Sequence, residues 1–231
     1  MTLKIHHLQM SQSERIVWLA EELGIDYELV YHKRDPFLAP QSIRDLHPLG
    51  QAPIIQDGPV TLPESAAIAE YLLRKHGDGG SLAPGPEDEN YVQYLHWFHF
   101  ANGNLHPQAT RVMVLKHCNV DEGVWHAQRH IKQYAKFLRF VDDRLAGNEW
   151  LAGAQFTAAD IMNVFALTTM RAFSGQDLSA YPNILRYLKR VSEREAYQRA
   201  RARADPGVPL MIDGPPPPSF FDKIEAVGGE S

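Results

Sequence analysis

The hydrophobic rhythm of this chain changes once, at Gly79-Gly80-Ser81-Leu82-Ala83-Pro84-Gly85-Pro86. Before that stretch, segments of period two alternate with segments of helical period. Leu3–Leu8 reads as a strand ending near Gln9, and residues 11–23 as a helix with Ile16, Leu19, Ala20 and Leu23 on one face and Gly24 as its stop. Ile25, Tyr27 and Leu29 alternate with polar residues, which predicts a second strand broken by Lys33-Arg34-Asp35-Pro36. A short helix fits residues 41–46. Two short strands, Ile54-Ile55 and Val60-Thr61-Leu62, flank Asp57-Gly58-Pro59 as a hairpin. A helix over Ser65–His76 ends at Gly77. The order is βαβαββα, with a mixed sheet, because the hairpin pairs antiparallel while the first two strands are joined by a helical crossover.

After the boundary only the helical period remains. Tyr91, Tyr94, Leu95 and Phe98 form one stripe, and Ile131, Tyr134, Leu138, Val141 and Leu145 another. Ile161, Val164, Phe165 and Thr168 form a third, and Ile184, Tyr187, Leu188 and Val191 a fourth, with Pro182 suited to a first turn. The sequence therefore divides into an α/β domain at 1–78, an all-α domain at 88–205 and a proline-rich tail at 206–231, expected to run extended over the surface.

Composition narrows the function classes. Hydrophobic residues make up 44% and charged residues 22%, which suffices for a sizeable core. A net charge of -5 argues against a nucleic-acid binder working through a basic face. One cysteine, Cys118, forms no internal disulfide and no cysteine-based zinc site, which fits a reducing compartment. His96 and His99 have a ligand-like spacing but no third partner at motif distance, so no metal is expected. No glycine-rich phosphate loop is present. With no secretory leader and no apolar run of membrane length, the expected location is the cytoplasm.

Two segments carry the chemistry. Ser11-Gln12-Ser13-Glu14-Arg15-Ile16-Val17-Trp18-Leu19 opens the first helix. His47-Pro48-Leu49-Gly50-Gln51-Ala52-Pro53-Ile54-Ile55 is continued by Leu62-Pro63-Glu64-Ser65-Ala66-Ala67-Ile68. Together they resemble the N-terminal domain of glutathione transferases, and the likeness extends over residues 3–200. The resemblance implies a thioredoxin-like first domain and a helical second domain. It implies glutathione as cosubstrate, a hydrophobic electrophilic small molecule as second substrate, and a homodimer.

The resemblance also assigns roles. Ser11, four residues before Arg15, matches the serine that activates the glutathione thiol, and Ser13 is the alternative. A serine before a helix is ordinarily a cap, a role compatible with anion binding at the same helix end. Pro53 matches the cis-proline of the family, and Ala52 the residue whose backbone pairs with the cysteinyl part of glutathione, in the manner of strand addition. Gln51 would approach the glycine carboxylate, and Glu64 and Ser65 the two ends of the γ-glutamyl group. Asn102 stands where relatives often carry an acid. A second-substrate pocket between the domains has Trp97, Phe100, Arg111 and Met113 as candidates, against the alternative that helical aromatics are core. Phe156-Thr157-Ala158-Ala159-Asp160-Ile161 resembles the capping motif of the family's second domain and is assigned to folding. A non-catalytic binding or assembly module on the same fold stays open beside the enzyme.

Overall fold

The computed structural model describes residues 2–77, 80 and 82–222. Residues 79 and 81 of the boundary stretch and residues 223–231 of the tail lie outside these. The described chain forms two compact units, one made of residues up to 87 with 191–209, the other of 88–190 with the chain from 210 on.

The first unit has the predicted order. The elements are β1 (Leu3–Leu8), α1 (Glu14–Glu22), β2 (Tyr27–His32), α2 (Gln41–Arg44), β3 (Ile54–Asp57), β4 (Val60–Pro63) and α3 (Ser65–His76). The sheet runs β2-β1-β3-β4, with β1 and β2 parallel and both other pairings antiparallel. Asp57 faces Val60 across the turn, where Gly58 takes a φ of 60° that a side chain would disfavour. The two-residue period of β1 divides its side chains between the two faces of the sheet. Leu8 joins Ile43, Ala52 and Ile54 in one small core. His6, on the same face as Leu8, is hydrogen bonded to His32 at 3.0 Å and to Gln56 at 3.1 Å. His7 faces the other way.

Helix α1 begins three residues later than the sequence pattern implies. Residues 11–13 form turns instead, with the N–H groups of Glu14, Arg15 and Ile16 donating to the carbonyls of Ser11, Gln12 and Ser13. The helix ends as predicted at Gly24, with φ 62°. The N–H of Ile25 reaches the Ala20 carbonyl at 3.0 Å, satisfying an otherwise orphaned group. At α3 the residue in the capping position is Glu64, with φ 75°, and Ser65 is the first helical residue rather than the cap.

A further helix, Glu195–Ala204, completes this unit. The second unit contains α4 (Tyr91–Phe100), a π-helical turn (Ala101–Leu105), α5 (His106–His117), α6 (Trp125–Ala146), α7 (Ala158–Leu167), the short α8 (Arg171–Ser174) and most of α9 (Pro182–Ser192). Then follows α10 (Glu195–Ala204). The sequence boundary at 205 placed α10 with the helical domain, whereas it packs on α1 in the first unit. Its apolar residues are mainly alanines, too small to give a strong stripe. It docks through Tyr197, edge-on to Trp18 at 4.7 Å, and through arginines: Arg194 forks onto Glu22 at 2.8 and 2.7 Å, and Arg199 and Arg203 each reach Glu21 at 2.9 Å.

In the second unit the capping motif forms in full. Thr157 caps α7 and Asp160 returns a bond to the Thr157 N–H at 2.9 Å. Asp160 also accepts from the Leu151 N–H and the Tyr187 hydroxyl, each at 3.0 Å. Burial pushes its carboxyl up to about 6, against the pull of those donors. Phe156 packs edge-on to Trp150 at 5.0 Å.

The proline-rich tail is tethered. Arg171 is buried, and its guanidinium donates to the carbonyls of Gln176, Met211, Asp213, Gly214 and Pro215 at 2.6–3.0 Å. Phe220 is buried 4.7 Å from the ring of Phe173. Carbonyl acceptors satisfy the buried cation, with Asp177 and Asp213 near enough to favour its charge, so its removal leaves several carbonyls unpaired at once. Arg171→Met is expected to cost about 3 kcal/mol, read by urea denaturation, from charge-assisted bonds worth roughly 1.5–3 kcal/mol each and not additive. Limited proteolysis within 206–222 should accelerate alongside.

Candidate functional site

The turn between β1 and α1 is built on buried polar groups. Met10 takes a left-handed conformation, with φ 47°, uncommon for a residue with a side chain. That turn aims its N–H at Asp205 Oδ1, 2.9 Å away. Arg34 stitches the same turn from β2's end, donating to the carbonyls of Gln9 at 2.9 Å and Met10 at 3.2 Å.

Both candidate serines sit in this turn. Ser11 Oγ and Ser13 Oγ are 2.6 Å apart. The Ser13 N–H donates to Ser11 Oγ at 3.3 Å, and the Leu8 N–H to Ser13 Oγ at 3.1 Å. Ser13 Oγ is also 2.9 Å from His7 Nδ1. Ser11 keeps 6% of its surface, whereas Ser13 has none. Neither side chain caps α1. Both oxygens instead belong to a polar chain running into the unit.

That chain ends on α10. His7 Nε2 lies 3.4 Å from Asp205 Oδ2, an ion-pair separation without a hydrogen bond. Burial alone would raise the Asp205 carboxyl; His7, the Met10 N–H and Arg201 outweigh it and hold the group below the ordinary carboxylate range. Arg201 stands 3.5 Å from Asp205 and is paired with Glu14, all three buried.

A second cluster links the remaining predicted residues. The Ala52–Pro53 peptide is cis, as the resemblance implied. Gln12 connects it to α3: its Nε2 is 3.4 Å from the Ala52 carbonyl, and its Oε1 accepts from Arg15 at 2.9 Å and from Ser65 Oγ at 3.4 Å. Arg15 also reaches Ser65 Oγ at 3.3 Å. Burial lowers the Arg15 guanidinium to about 9, with Glu14 opposing. Ala52, Ser65 and the opening of α1 are thus brought to one place. Gln51 and Glu64 lie beside this cluster in sequence with exposed side chains.

Sequence reasoning passed over Gln12, His7, Asp205 and the α10 partners. Gln12 and His7 stand within the motif region, but nothing in a linear pattern says which polar side chain bridges two loops. Asp205 is 198 residues from His7, a pairing that only the fold reveals.

The second-substrate candidates stand on α4 and α5. Trp97 and Phe100 are buried, at 1% and 6%, in an aromatic cluster in which Trp97 stacks on Phe140 at 5.1 Å and Phe100 meets Phe137 at 5.4 Å. Trp97 also lines an open cleft of about 460 Å³ with Gln93, His96, Phe140, Asp143 and Arg144. Arg111 is exposed on α5 and bonded to Gln108 at 3.2 Å, and Met113 is half-buried on the same helix. Among the described residues no group of three or more His, Cys, Asp or Glu side chains is placed to hold a metal, and no helix is long and apolar enough to cross a membrane.

The buried pair between α1 and α10 sets up one test. Glu14→Gln takes the Glu14 charge away from the buried Arg201 guanidinium and leaves Asp205 at 3.5 Å. The expected cost is about 3 kcal/mol, the scale for breaking one side of a buried pair. A fall in urea midpoint at unchanged slope checks it.

Comparison with known proteins agrees with this architecture. Residues 9–75 match the glutathione S-transferase N-terminal domain and residues 108–195 the glutathione S-transferase C-terminal domain. Glutathione S-transferase 3 of Schizosaccharomyces pombe is 36% identical, over 87% of this chain and 87% of its own. Glutathione S-transferase 3 of Zea mays is 29% identical, over 94% and 97%. The crystal structure of a glutathione S-transferase from Actinobacillus pleuropneumoniae is 30% identical, with a TM-score of 0.81, over 89% of this chain and 95% of that one. A glutathione transferase family member from Pseudomonas fluorescens, solved with two glutathione bound, is 23% identical over 86% and 92%, with a TM-score of 0.71, and speaks to the fold alone. The cis-proline loop, the polar opening of α1 and the capping box of α7 lie in a chain that belongs to the glutathione transferase family.

Proposed function

We propose that this chain binds glutathione along the Ala52–Pro53 segment and uses the Ser11 hydroxyl to hold its sulfur as thiolate. The thiolate then attacks an electrophilic, hydrophobic small molecule, by conjugation or by reduction of a peroxide. The observation that carries the reading is the difference between the two serines: Ser11 retains accessible surface at the opening of α1, while Ser13 retains none. An incoming sulfur therefore meets Ser11 first. Gln51 and Ala52 would take the glycine and cysteine portions, and Glu64 with Ser65 the γ-glutamyl end. Membership of the glutathione transferase family supports the ligand class.

The energetics are sufficient. A free thiol has a pKa of about 8.5, and lowering it by two units takes roughly 2.7 kcal/mol. One hydrogen bond to a charged partner is worth roughly 1.5–3 kcal/mol, so a single well-placed hydroxyl supplies most of it. The serine hydroxyl donates a hydrogen bond to the thiolate sulfur, keeps its O–H bond and forms no covalent bond to sulfur. Trp97, Phe100, Arg111 and Met113 remain the proposed surroundings of the second substrate. The proposed setting is the cytoplasm and the proposed assembly a homodimer, on family likeness.

Ser11→Ala is expected to keep glutathione binding, raise the bound thiol's pKa and lower turnover roughly 10²-fold, the rate equivalent of the stabilisation lost. Turnover that does not change would end the assignment to Ser11. A wild-type protein that fails to bind glutathione at millimolar concentration would point instead to a binding or assembly module.

A further inference from the structure

The polar chain behind Ser11 has no role in a mechanism that needs only one hydroxyl. Hydrogen-bond distances link Ser11 Oγ to Ser13 Oγ at 2.6 Å and Ser13 Oγ to His7 Nδ1 at 2.9 Å, and His7 Nε2 stands at an ion-pair separation of 3.4 Å from Asp205 Oδ2. Ser13, His7 and Asp205 are all buried. We propose that His7, held by Asp205, is the internal base that accepts the glutathione thiol proton, passed inward through Ser11 and Ser13. This rests on the reading of Ser11 as the group that meets the sulfur.

The proposal takes His7 as a neutral imidazole in the free protein, and one arrangement of protons along the chain follows from that. A neutral imidazole carries one N–H, and beside the Asp205 carboxylate that N–H belongs on Nε2, since a lone pair there would face a negative oxygen. Nδ1 is then an acceptor. In the proposed arrangement it takes the Ser13 hydroxyl proton at 2.9 Å, in preference to the Leu8 carbonyl 3.4 Å from the same oxygen, while Ser13 Oγ accepts from the Leu8 N–H and from Ser11. Ser11 Oγ accepts from the Ser13 N–H and has one lone pair left for an arriving thiol. In this state the Ser11 proton points inward and cannot stabilise a thiolate.

Transfer reverses the chain. The S–H bond breaks and its proton joins Ser11 Oγ; the proton Ser11 held moves to Ser13; the proton Ser13 held moves to His7 Nδ1. One N–H bond forms for one S–H bond lost, and nothing is oxidised. His7 is now an imidazolium against the Asp205 carboxylate. Ser13 donates to Ser11, and Ser11 donates to the sulfur anion. The same shift that removes the thiol proton thus turns the Ser11 hydroxyl outward to hold the thiolate. After conjugation with loss of an anionic leaving group, the proton returns by the reverse path to solvent.

The charges around His7 suit this. Asp205 faces it from the end of α10, with Arg201 and Glu14 behind. Tyr31 lies with ring centres 6.0 Å away on β2, His32 adjoins on the same strand, and Arg34 follows that strand. Glu14 offsets Arg201, and Asp205 is offset by Arg34 until His7 gains its proton. Thiolate and imidazolium then form an internal pair separated by two hydroxyls, so no net charge is added to the site. The order Ser, His, Asp is that of acyl-transfer triads, but here the serine relays a proton and is not a nucleophile.

Proton bookkeeping tests the idea on the unmodified protein. Thiolate formed on glutathione binding is read by its ultraviolet absorbance, and protons released by a pH indicator in weak buffer. The expected result is far less than one proton released per thiolate, with the His7 ring nitrogen resonances moving to imidazolium positions. S-methylglutathione, which has no thiol proton, should leave those resonances in place. One proton released per thiolate, with His7 unmoved, overturns the relay.

His7→Asn keeps a polar side chain beside Ser13 but accepts no proton. It should lower kcat/KM at neutral pH roughly 10²-fold, the lower end for loss of a general base, and shift the pH profile toward alkali. An unshifted profile in a folded His7→Asn protein counts equally against the proposal. If the wild type forms thiolate and Ser11→Ala does not, while the proton count is one, Ser11 stands and the relay falls. If Ser11→Ala forms thiolate as well as the wild type, the reading of Ser11 fails and takes the relay with it.

Discussion

The Asp205 carboxylate is 3% exposed, and a charge so removed from water must be satisfied by what surrounds it. Its neighbours are the Met10 N–H, the His7 ring and Arg201, drawn from the β1–α1 turn, from β1 and from α10. One group thereby pins the terminus of a late helix to the first turn of the chain. Met10 adopts a left-handed backbone at the point where its N–H meets that carboxylate, so the shape of the turn and the placement of Asp205 are one fact. The position of Ser11 follows from it.

The rest of the first unit organises around the same turn. Glu14 and Arg201 neutralise each other beneath it, and Glu21 and Glu22 receive the other α10 arginines. On its opposite side Gln12 reaches the cis-proline loop and Ser65. A ligand laid along that loop would meet groups that are hydrogen bonded before it arrives. Such preorganisation limits the ordering cost of binding. It also explains why residues 11–13 form turns and not the first turn of α1: the serine oxygens bond into the turn itself and inward to β1.

The second unit is held by two polar centres of a different kind. Asp160 gathers the N-terminus of α7, the loop at Leu151 and the Tyr187 hydroxyl of α9. Arg171 gathers the tail through its carbonyls. Glycine is required where the tail passes Ser179, since a Cβ on Gly214 would come within 2.7 Å of the Ser179 hydroxyl. Each centre fixes irregular chain that the apolar stripes of the helices leave unspecified.

The βαβαββα order, the change to helices after the glycine-proline stretch, the hairpin at Gly58 and the capping box at Thr157 and Asp160 were all legible in the sequence. Each rests on neighbours a few residues apart, where period, turn chemistry and capping act locally. The likeness of Ser11, Ala52–Pro53 and Glu64–Ser65 to a known family was legible for the same reason, as short contiguous motifs. The start of α1, the cap of α3, the allegiance of α10 and the partners of Ser11 were not. These depend on buried polar groups far apart in the chain, Asp205 with Met10 above all, and a buried charge selects its partners by distance in space. Residue order alone determined the elements and the family; which groups stand behind the β1–α1 turn was decided only when α10 folded back onto α1.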